Sequence, residues 1–432
     1  MKKCLEVLAL GLVMAALFGC PPPEPPATGG GTISGTVRDA VTGGLVEGVT
    51  VEFGSYSDVT DFAGAYSIEV PASVTTVTGT FVAYKGLEYS FRACSGIAVN
   101  PTTDPVYDFD IYPYDVSGYT DVTLSGRIYD NTDTEISDSC ALMFFFANAE
   151  GGRCWNSAMY SATEGYSIST ITTGTNCFVY VDVWAPSMAS YLFGFYVTGE
   201  NLTSDLTNHD LTQPPDEDYT SVTINGDTGS FYMGNLLLSD SLIFTNYIVG
   251  MLSGPTDSIE VYNSANYPVQ WMAGTVAPDT PPGCVTMSAS IATLPFSDTI
   301  DLPAAYTGPV PTGIVDEATV GWNGTTLSFT PASGANGHMV WVQDNAGHCG
   351  SIQMASAGSV TFPSGFVASV LTPGSGWDLV IWPEYCADFT PAILLENAIG
   401  MHPEGEVGER PMPFEAGVGI IQCGLTKADA IP

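Results

Sequence analysis

Residues 33–39 read Ile-Ser-Gly-Thr-Val-Arg-Asp, and residues 60–68 read Thr-Asp-Phe-Ala-Gly-Ala-Tyr-Ser-Ile. Apolar and polar residues alternate in the first stretch, which is typical of a strand with one buried face. The second stretch is a turn that leads into another alternating strand. Residues 49–53 alternate in the same way between them. The three stretches together predict a β-sheet module that begins at residue 32.

This arrangement resembles the carboxypeptidase regulatory-like domain, a transthyretin-like β-sandwich of about seven strands. The matching residues are Gly35, Val37, Asp39, Thr42, Gly43, Val49, Val51, Thr60, Asp61, Gly64 and Tyr66. The resemblance covers residues 32–116, the expected first module. It implies a scaffold role, as in bacterial surface proteins that carry this domain, and it brings no catalytic residues.

Parts of the pattern recur along the chain. Residues 124–130 repeat the pattern of residues 33–39, and residues 219–226 resemble residues 119–126. Residues 165–168 also repeat the Gly-x-Tyr-Ser-Ile pattern of the first module more loosely. A repeat of about 95 residues suits tandem sandwiches. We expect the second module at residues 117–213 and the third at residues 219–308.

The chain changes character at residue 309. Two strand-like stretches, a proline after the second, and a Met-Val-Trp-Val strand at residues 339–342 are similar to the opening of a fibronectin type III domain. Residues 309–432 are therefore expected to form a fibronectin III-like sandwich with a C-terminal tail. The expected fold class is all-β: tandem Ig/transthyretin-like β-sandwich modules on an N-terminal lipid tether.

Residues 1–19 have the layout of a signal peptide, with a basic start and an apolar run. The run ends in Leu-Phe-Gly-Cys20, which resembles the bacterial lipoprotein signal. The resemblance implies cleavage before Cys20 and acylation of that cysteine. Pro21, where aspartate would imply retention in the inner membrane, favours the outer membrane or cell surface. Residues 20–31, rich in proline and glycine, are expected to be a tether.

The charge of the chain limits its partners. The sequence has 46 acidic and 9 basic residues, a net charge of −37. Nucleic-acid binding depends on Lys and Arg contacts to phosphates, so a nucleic-acid partner is excluded. The expected partners are the membrane, through the lipid on Cys20, and either a surface glycan or a protein ligand.

Cysteines are the other notable feature of an exported chain. After the signal peptide and Cys20 are set aside, eight of the ten cysteines are disulfide candidates: Cys94, Cys140, Cys154, Cys177, Cys284, Cys349, Cys386 and Cys423. Their pairing cannot be deduced from the sequence. Cys94 is the only cysteine of the first module, so it must either pair across a module boundary or be free.

Residues that carry catalysis are sparse. The chain has no nucleophile elbow, no zinc-protease motif and no phosphate-binding glycine loop. The candidates for metal ligands are His338 and His348 with Cys349, and the acidic residues Asp108, Asp110 and Asp115. A disulfide is the favoured alternative for Cys349, and a solvated strand face is the favoured alternative for the acidic residues. We therefore expect no catalytic residue, no metal site and no cofactor.

The leading functional hypothesis is a non-enzymatic cell-surface lipoprotein that acts as a structural, binding or adhesion scaffold. The alternative is a carbohydrate-binding surface lipoprotein, because transthyretin-like sandwiches resemble starch-binding folds and the chain is rich in aromatic residues. An exposed row of aromatic side chains on one sheet would favour that alternative.

Overall fold

A computed structural model gives the fold of most of the chain after the tether. It describes residues 30–186, 191–213, 219–226, 231–239, 242–251, 255–262, 269–277, 286–294, 299–301, 313–344, 346, 348–355, 358–371, 376–386, 420–422 and 426–431. The expected signal peptide and Cys20 lie outside these residues. Strands dominate the described part, which confirms the all-β fold class.

The first module has seven strands in two sheets. They are β1 (Gly31–Asp39), β2 (Thr50–Phe53), β3 (Tyr56–Val59), β4 (Ala65–Val70), β5 (Val77–Tyr84), β6 (Phe91–Val99) and β7 (Phe109–Ile111). One sheet has the order β4-β1-β7, and β3-β2-β5-β6 run side by side in the other. Strand β1 is antiparallel to β4 and parallel to β7. The alternating pattern of residues 33–39 thus belongs to the central strand of its sheet.

The second and third modules repeat this topology. The strands of the second are β8 (Val122–Gly126), β9 (Ile128–Tyr129), β10 (Cys140–Ala147), β11 (Arg153–Tyr160), β12 (Tyr166–Thr170), β13 (Gly174–Trp184), β14 (Tyr191–Leu202), β15 (Leu206–Thr207) and β16 (Leu211–Thr212). Those of the third are β17 (Tyr219–Asn225), β18 (Phe231–Ser239), β19 (Leu242–Met251), β20 (Thr256–Tyr262), β21 (Val269–Ala277), β22 (Thr286–Leu294) and β23 (Thr299–Asp301).

Their sheets have the orders β12-β8-β15 with β11-β10-β13-β14, and β20-β17-β23 with β19-β18-β21-β22. In each module the first strand is antiparallel to the fourth and parallel to the last. The second module differs only in that its first and last strands are each interrupted, and the second halves pair separately as β9 and β16. The repeated sequence patterns therefore mark repeated structure.

Equivalent side chains explain why the pattern recurs. A Cβ atom on Gly35 would overlap the carbonyl oxygen of Tyr107, and one on Gly126 would overlap that of His209. Only glycine fits there, because the segment before the last strand passes directly over the first strand. The Tyr66 hydroxyl donates to the Tyr107 carbonyl at 2.6 Å, and the Tyr166 hydroxyl donates to the His209 carbonyl at 2.7 Å.

Carboxylates hold the same two strands together. Asp104 and Asp108 accept hydrogen bonds from backbone N–H groups of β1 at 3.0 and 2.7 Å. Asp205 and Asp210 accept the equivalent bonds in the second module at 2.9 and 2.8 Å. Part of the acidic composition thus satisfies backbone donors between the first and last strands of a module.

The fourth module has a different topology. Its elements are β24 (Gly321–Trp322), β25 (Thr326–Ser328), β26 (Gly337–Asp344), β27 (Cys349–Ala355), β28 (Ser359–Thr361), helix α1 (Ser364–Ser369), β29 (Trp377–Cys386), β30 (Ile420–Gln422) and β31 (Thr426–Ile431). One sheet has the order β24-β25-β28, with all pairs antiparallel. Short 3-10 turns occur at Pro101–Thr103 and Glu317–Thr319.

The first and fourth modules share one sheet of nine strands. Its order is β3-β2-β5-β6-β27-β26-β29-β30, and β31 pairs with the other half of β29. The connection is a parallel pairing of β6 with β27, in which Phe91 to Ser95 face Gly350 to Met354. These two modules are therefore not independent of each other, because the last module returns to the edge of the first.

Alternate residues of β5 face two different cores. Phe81 and Ala83 belong to the core of the first module. Val82 and Tyr84 pack with the fourth module, in a cluster that includes Phe91, Phe362 and Phe366. The Phe91 and Phe366 rings meet edge to face with their centroids 4.7 Å apart. The Thr80 hydroxyl adds a hydrogen bond to the Thr361 carbonyl at 2.6 Å. The two modules are thus joined by a hydrophobic core as well as by strand pairing.

The disulfide prediction is corrected for five cysteines. Cys94, Cys140, Cys154, Cys177 and Cys349 are free thiols. Cys94 lies in the apolar core of the first module, where burial raises its pKa. Cys154 and Cys177 lie on β11 and β13, and β10 separates them. Of the two alternatives for Cys94, the structure has the free thiol. The side chains of Cys284, Cys386 and Cys423 lie outside the described residues.

A buried histidine gives the fourth module a pH-dependent stability. His338 is fully buried, and desolvation lowers its pKa to about 4. The unfolded chain takes up this proton near pH 6.5, so stability is complete above pH 6.5 and decreases as the pH falls towards 4. We expect the wild type to lose about 3 kcal/mol more than His338→Gln over this interval. Urea unfolding at pH 7 and pH 4.5 measures the difference, and equal losses in both proteins would contradict it.

Candidate functional site

The loop that follows β1 is organised by one carboxylate. Asp39 is 4% exposed, and its Oδ1 accepts the backbone N–H groups of Val41 and Thr42, both at 2.9 Å. Its Oδ2 accepts the Tyr89 hydroxyl at 3.2 Å and the Tyr119 hydroxyl. Because Tyr119 lies in the segment that leads to the second module, Asp39 links the loop to the module boundary.

The second module holds the same loop from the other side. Asn148 Nδ2 donates to the Thr42 carbonyl at 2.7 Å, and the Thr172 hydroxyl donates to the Val41 carbonyl at 2.7 Å. Arg153 donates its backbone N–H to the Ala40 carbonyl at 2.9 Å. Three successive carbonyls of the first module therefore have donors from the second, which fixes the two modules relative to each other.

An open surface depression of about 650 Å³ lies beside Asp39. Tyr89 and Tyr119 form its aromatic wall, and Leu45 and Glu47 lie at its exposed side. Lys85 also lines it, and its ammonium group pairs with Glu88 at 3.0 Å and lies 5.7 Å from the centre of the Tyr89 ring. We call this the junction cavity. It combines aromatic, apolar and acidic groups, which are the components of a binding site and carry no arrangement for catalysis.

The candidate metal ligands have other partners. His348 Nδ1 lies 2.9 Å from Asp344 Oδ2, and its ring packs edge-on against Tyr114. Cys349 donates its backbone N–H to the Tyr114 hydroxyl at 2.8 Å. These contacts attach the end of the first module to the fourth. Among the described residues, no group of three or more His, Cys, Asp or Glu side chains is placed to hold a metal ion.

Alternation predicts that Asp108 and Asp110 face away from the core. In the structure Phe109 and Ile111 are buried, while Asp108, just before β7, is exposed and Asp110 is half-buried. Asp108 is used by β1, and the Asp110 carbonyl accepts a hydrogen bond from Arg92 Nη1 at 3.1 Å. The Asp108 carboxylate therefore has a structural role, whereas Asp110 contacts Arg92 through its backbone.

Most described tryptophans belong to cores. Trp341, Trp377 and Trp382 are buried, and Trp322 packs against the core of the fourth module. The outer face of the second module is different. Phe145 and Tyr180 lie on the side of the sheet opposite the core, with ring centroids 6.0 Å apart. Phe145 and Trp184 are half-buried, and Tyr180 is buried. The side chains of Trp155 and Trp271 lie outside the described part of the chain.

Asp182 lies on this aromatic face, and its protonation predicts a stability effect. Desolvation raises the pKa of Asp182 to about 7, and it outweighs a hydrogen bond from Tyr180 that lowers the pKa. The folded state therefore holds this proton more tightly than the unfolded state, so stability falls as the pH rises from about 4 to 7 and stays at the lower level above 7. Asp182→Asn removes the penalty, so we expect it to raise stability by about 1–2 kcal/mol at pH 8, since partial exposure reduces the full effect. It should change nothing at pH 4, and a gain at both pH values would contradict the assignment.

Sequence reasoning found part of the junction. Asp39 belongs to the sequence pattern of the first module, whereas Tyr89 and Tyr119 lie outside that pattern. They are 50 and 80 residues away from Asp39 in the chain, and nothing in their local sequence marks the contact. The predicted lipidation site, Cys20, lies outside the described residues. Within those residues, no helix is both long and apolar enough to cross a bilayer.

Comparison with known proteins gives fold likeness only. No protein-family model matches the chain, and no curated protein matches it. A streptococcal ancillary pilin is 7% identical over 65% of this chain and 100% of its own, with a TM-score of 0.16. A tetra-tandem repeat from the extending region of a large adhesion protein is 11% identical over 82% of this chain and 95% of its own, with a TM-score of 0.12.

Two B repeat units of the collagen-binding protein of Staphylococcus aureus are 11% identical over 76% of this chain and 74% of their own, with a TM-score of 0.15. Scores this low carry no argument about function. The described chain is a set of all-β sandwich modules with a structured cavity at the boundary of the first two.

Proposed function

We propose that this protein is a non-enzymatic scaffold that displays binding surfaces from a cell surface. One observation carries the proposal: the first module is joined to two others through buried contacts. It shares a sheet and a hydrophobic core with the fourth module, and its Asp39 loop is held by the second. Such junctions favour a fixed arrangement of modules, whereas flexible linkers would leave them independent.

The anchor is part of the proposal. Residues 1–19 direct export, Cys20 carries lipid, and residues 20–31 form the tether at the start of β1. Wild-type protein is expected to incorporate labelled palmitate and to sediment with membranes, while Cys20→Ser is expected to do neither. Lipid incorporation into the Cys20→Ser protein would contradict this anchor.

Small-angle X-ray scattering of the full-length Cys20→Ser chain tests the scaffold. We expect a single rigid envelope whose radius of gyration is unchanged between low and high salt. A flexible profile for the first, second and fourth modules would rule out the fixed arrangement. Protease added to intact cells should digest the wild-type protein if it is displayed outside.

Carbohydrate capture is the second candidate, favoured by the half-buried rings of Phe145 and Trp184 on the outer side of the second module's sheet. Aromatic rings on a sheet surface can stack on the apolar faces of sugars, and the nearby Asp182 carboxylate can accept hydroxyl hydrogen bonds. Affinity electrophoresis in gels with starch, cellulose or xylan tests it. Retardation that is lost in Trp184→Ala supports this candidate, and unchanged mobility in all gels excludes it for these polymers.

A further inference from the structure

Two large apolar side chains are exposed beside the junction cavity. Phe62 is 84% exposed and lies in the turn from Asp61 to Gly64. Leu45 is 51% exposed, and a Cβ atom built on Gly64 would lie 3.0 Å from its own Cβ, so it adjoins the same turn. Leu45 also lines the cavity. Leu45 thus lines the cavity and adjoins the turn that carries Phe62, and we call Phe62, Leu45 and the junction cavity together the distal surface.

The distal surface lies far from the tether. Strand β1 runs from Gly31, beside the tether, to Asp39, beside the cavity. Nine strand residues at about 3.3 Å each place the two ends roughly 26–30 Å apart. The surface is thus at the end of the first module away from the anchor, so the bilayer that holds the lipid is not its occupant.

The charge of the chain favours a cationic partner over a second copy of the chain. Each chain carries a net charge of −37, so two copies repel each other, while a cationic partner is attracted. Lys85 does not reverse this at the cavity, because Glu88 balances it at 3.0 Å. The exposed Glu47 carboxylate remains for a positive group.

Side-chain chemistry separates a protein from a glycan. Leu45 and Phe62 offer no hydrogen-bonding group to sugar hydroxyls, and the hydroxyls of Tyr89 and Tyr119 already donate to Asp39. An exposed aromatic side chain next to a cavity is the usual composition of an anchor point in a protein–protein interface.

We propose that the distal surface binds an extended, positively charged segment of a partner protein. An apolar side chain of the segment packs on Leu45 and Phe62, and a Lys or Arg side chain enters the cavity near Glu47, where charge attraction favours it. This rests on the display function proposed above and specifies the chemistry of what is bound.

The test uses the full-length Cys20→Ser protein and two acetylated, amidated peptides, Lys-Leu-Arg-Phe-Lys and Glu-Leu-Glu-Phe-Glu. Isothermal titration calorimetry should detect saturable binding of the basic peptide only, weakened by added salt. Phe62→Ser should weaken it at least about 5-fold and Glu47→Gln about 3-fold. Val106→Ser is the matched control, since Val106 is 66% exposed on the same module and lies beside Ser34, and it should leave the affinity unchanged.

Three outcomes overturn the proposal: no saturable binding of the basic peptide, equal affinity for the acidic peptide, or equal loss in Phe62→Ser and Val106→Ser. Competition by maltohexaose would also overturn it, in favour of a glycan. Phe62 is almost fully exposed, so its replacement should leave the scattering profile unchanged. If the scattering shows a rigid protein that does not bind the peptide, only the proposed binding at the distal surface is rejected. If a flexible protein binds the peptide, only the rigid scaffold is rejected.

Discussion

Gly350→Val is expected to separate the fourth module from the first. A Cβ atom at position 350 would overlap the Phe91 ring, which is fully buried and packed edge-on against Phe366. Overpacking of a core typically costs about 1–3 kcal/mol, and here the strained contact is also the point where β6 pairs with β27. Because the strand pairing and the shared core would be lost together, we expect a larger radius of gyration and a second unfolding transition.

Two further variants make this result specific. Gly321→Val adds the same side chain to a strand of the same module. Among the described residues, the new Cβ has one neighbour within 4 Å, Ser328 Oγ at 3.7 Å, so this variant should behave as wild type. Phe91→Ala alone costs about 3–5 kcal/mol because it leaves a cavity. The double variant should be more stable than the sum of the single losses predicts, since the added valine fills that cavity. Additive losses would mean that Gly350 does not act through Phe91.

Asp39→Ala is expected to release the first module from the second. The substitution leaves the N–H groups of Val41 and Thr42 and the hydroxyls of Tyr89 and Tyr119 without their common acceptor. Each buried unsatisfied donor costs about 1–3 kcal/mol, and water can reach some of them, so the total is on the order of 3–5 kcal/mol. Hydrogen exchange should increase in residues 40–43, because the loop that the second module holds loses its internal support.

Asp61→Ala is the matched control for this prediction. Asp61 also accepts two backbone N–H groups, from Ala63 and Ala65 at 2.8 and 3.0 Å, but it is exposed and faces no second module. Its loss should cost about 1 kcal/mol and leave exchange in residues 40–43 unchanged. A similar cost for both variants would show that Asp39 organises only its own turn.

The sequence was informative where structure is local. Alternation located β1 and β4, and the repeat of Gly35 at Gly126 reflects a steric requirement that each module must meet. Polar and apolar spacing also placed Phe109 and Ile111 in the core. These features depend on residues within one strand or one turn, so a short pattern contains them.

The contacts between modules were not visible in this way. Phe81-Val82-Ala83-Tyr84 is a continuous apolar run, which favours a strand buried on both faces, but a run does not identify what covers the second face. The covering residues, such as Phe366, come from a helix of the fourth module. Cysteine spacing was misleading for a related reason: Cys94 reads as a disulfide candidate, while its neighbours in space are apolar side chains of its own core.

The shared sheet has a consequence for how the chain is made. Thr80 and Thr361 are hydrogen-bonded although they are 281 residues apart in the sequence. The part of the chain that leaves the ribosome first therefore acquires its last neighbour only when almost the whole polypeptide has followed. Until then, the edge of β6 and the side chains of Val82 and Phe91 remain open to water, which is the condition in which nascent chains aggregate. Efficient folding of this protein should therefore depend on a holding chaperone during that interval.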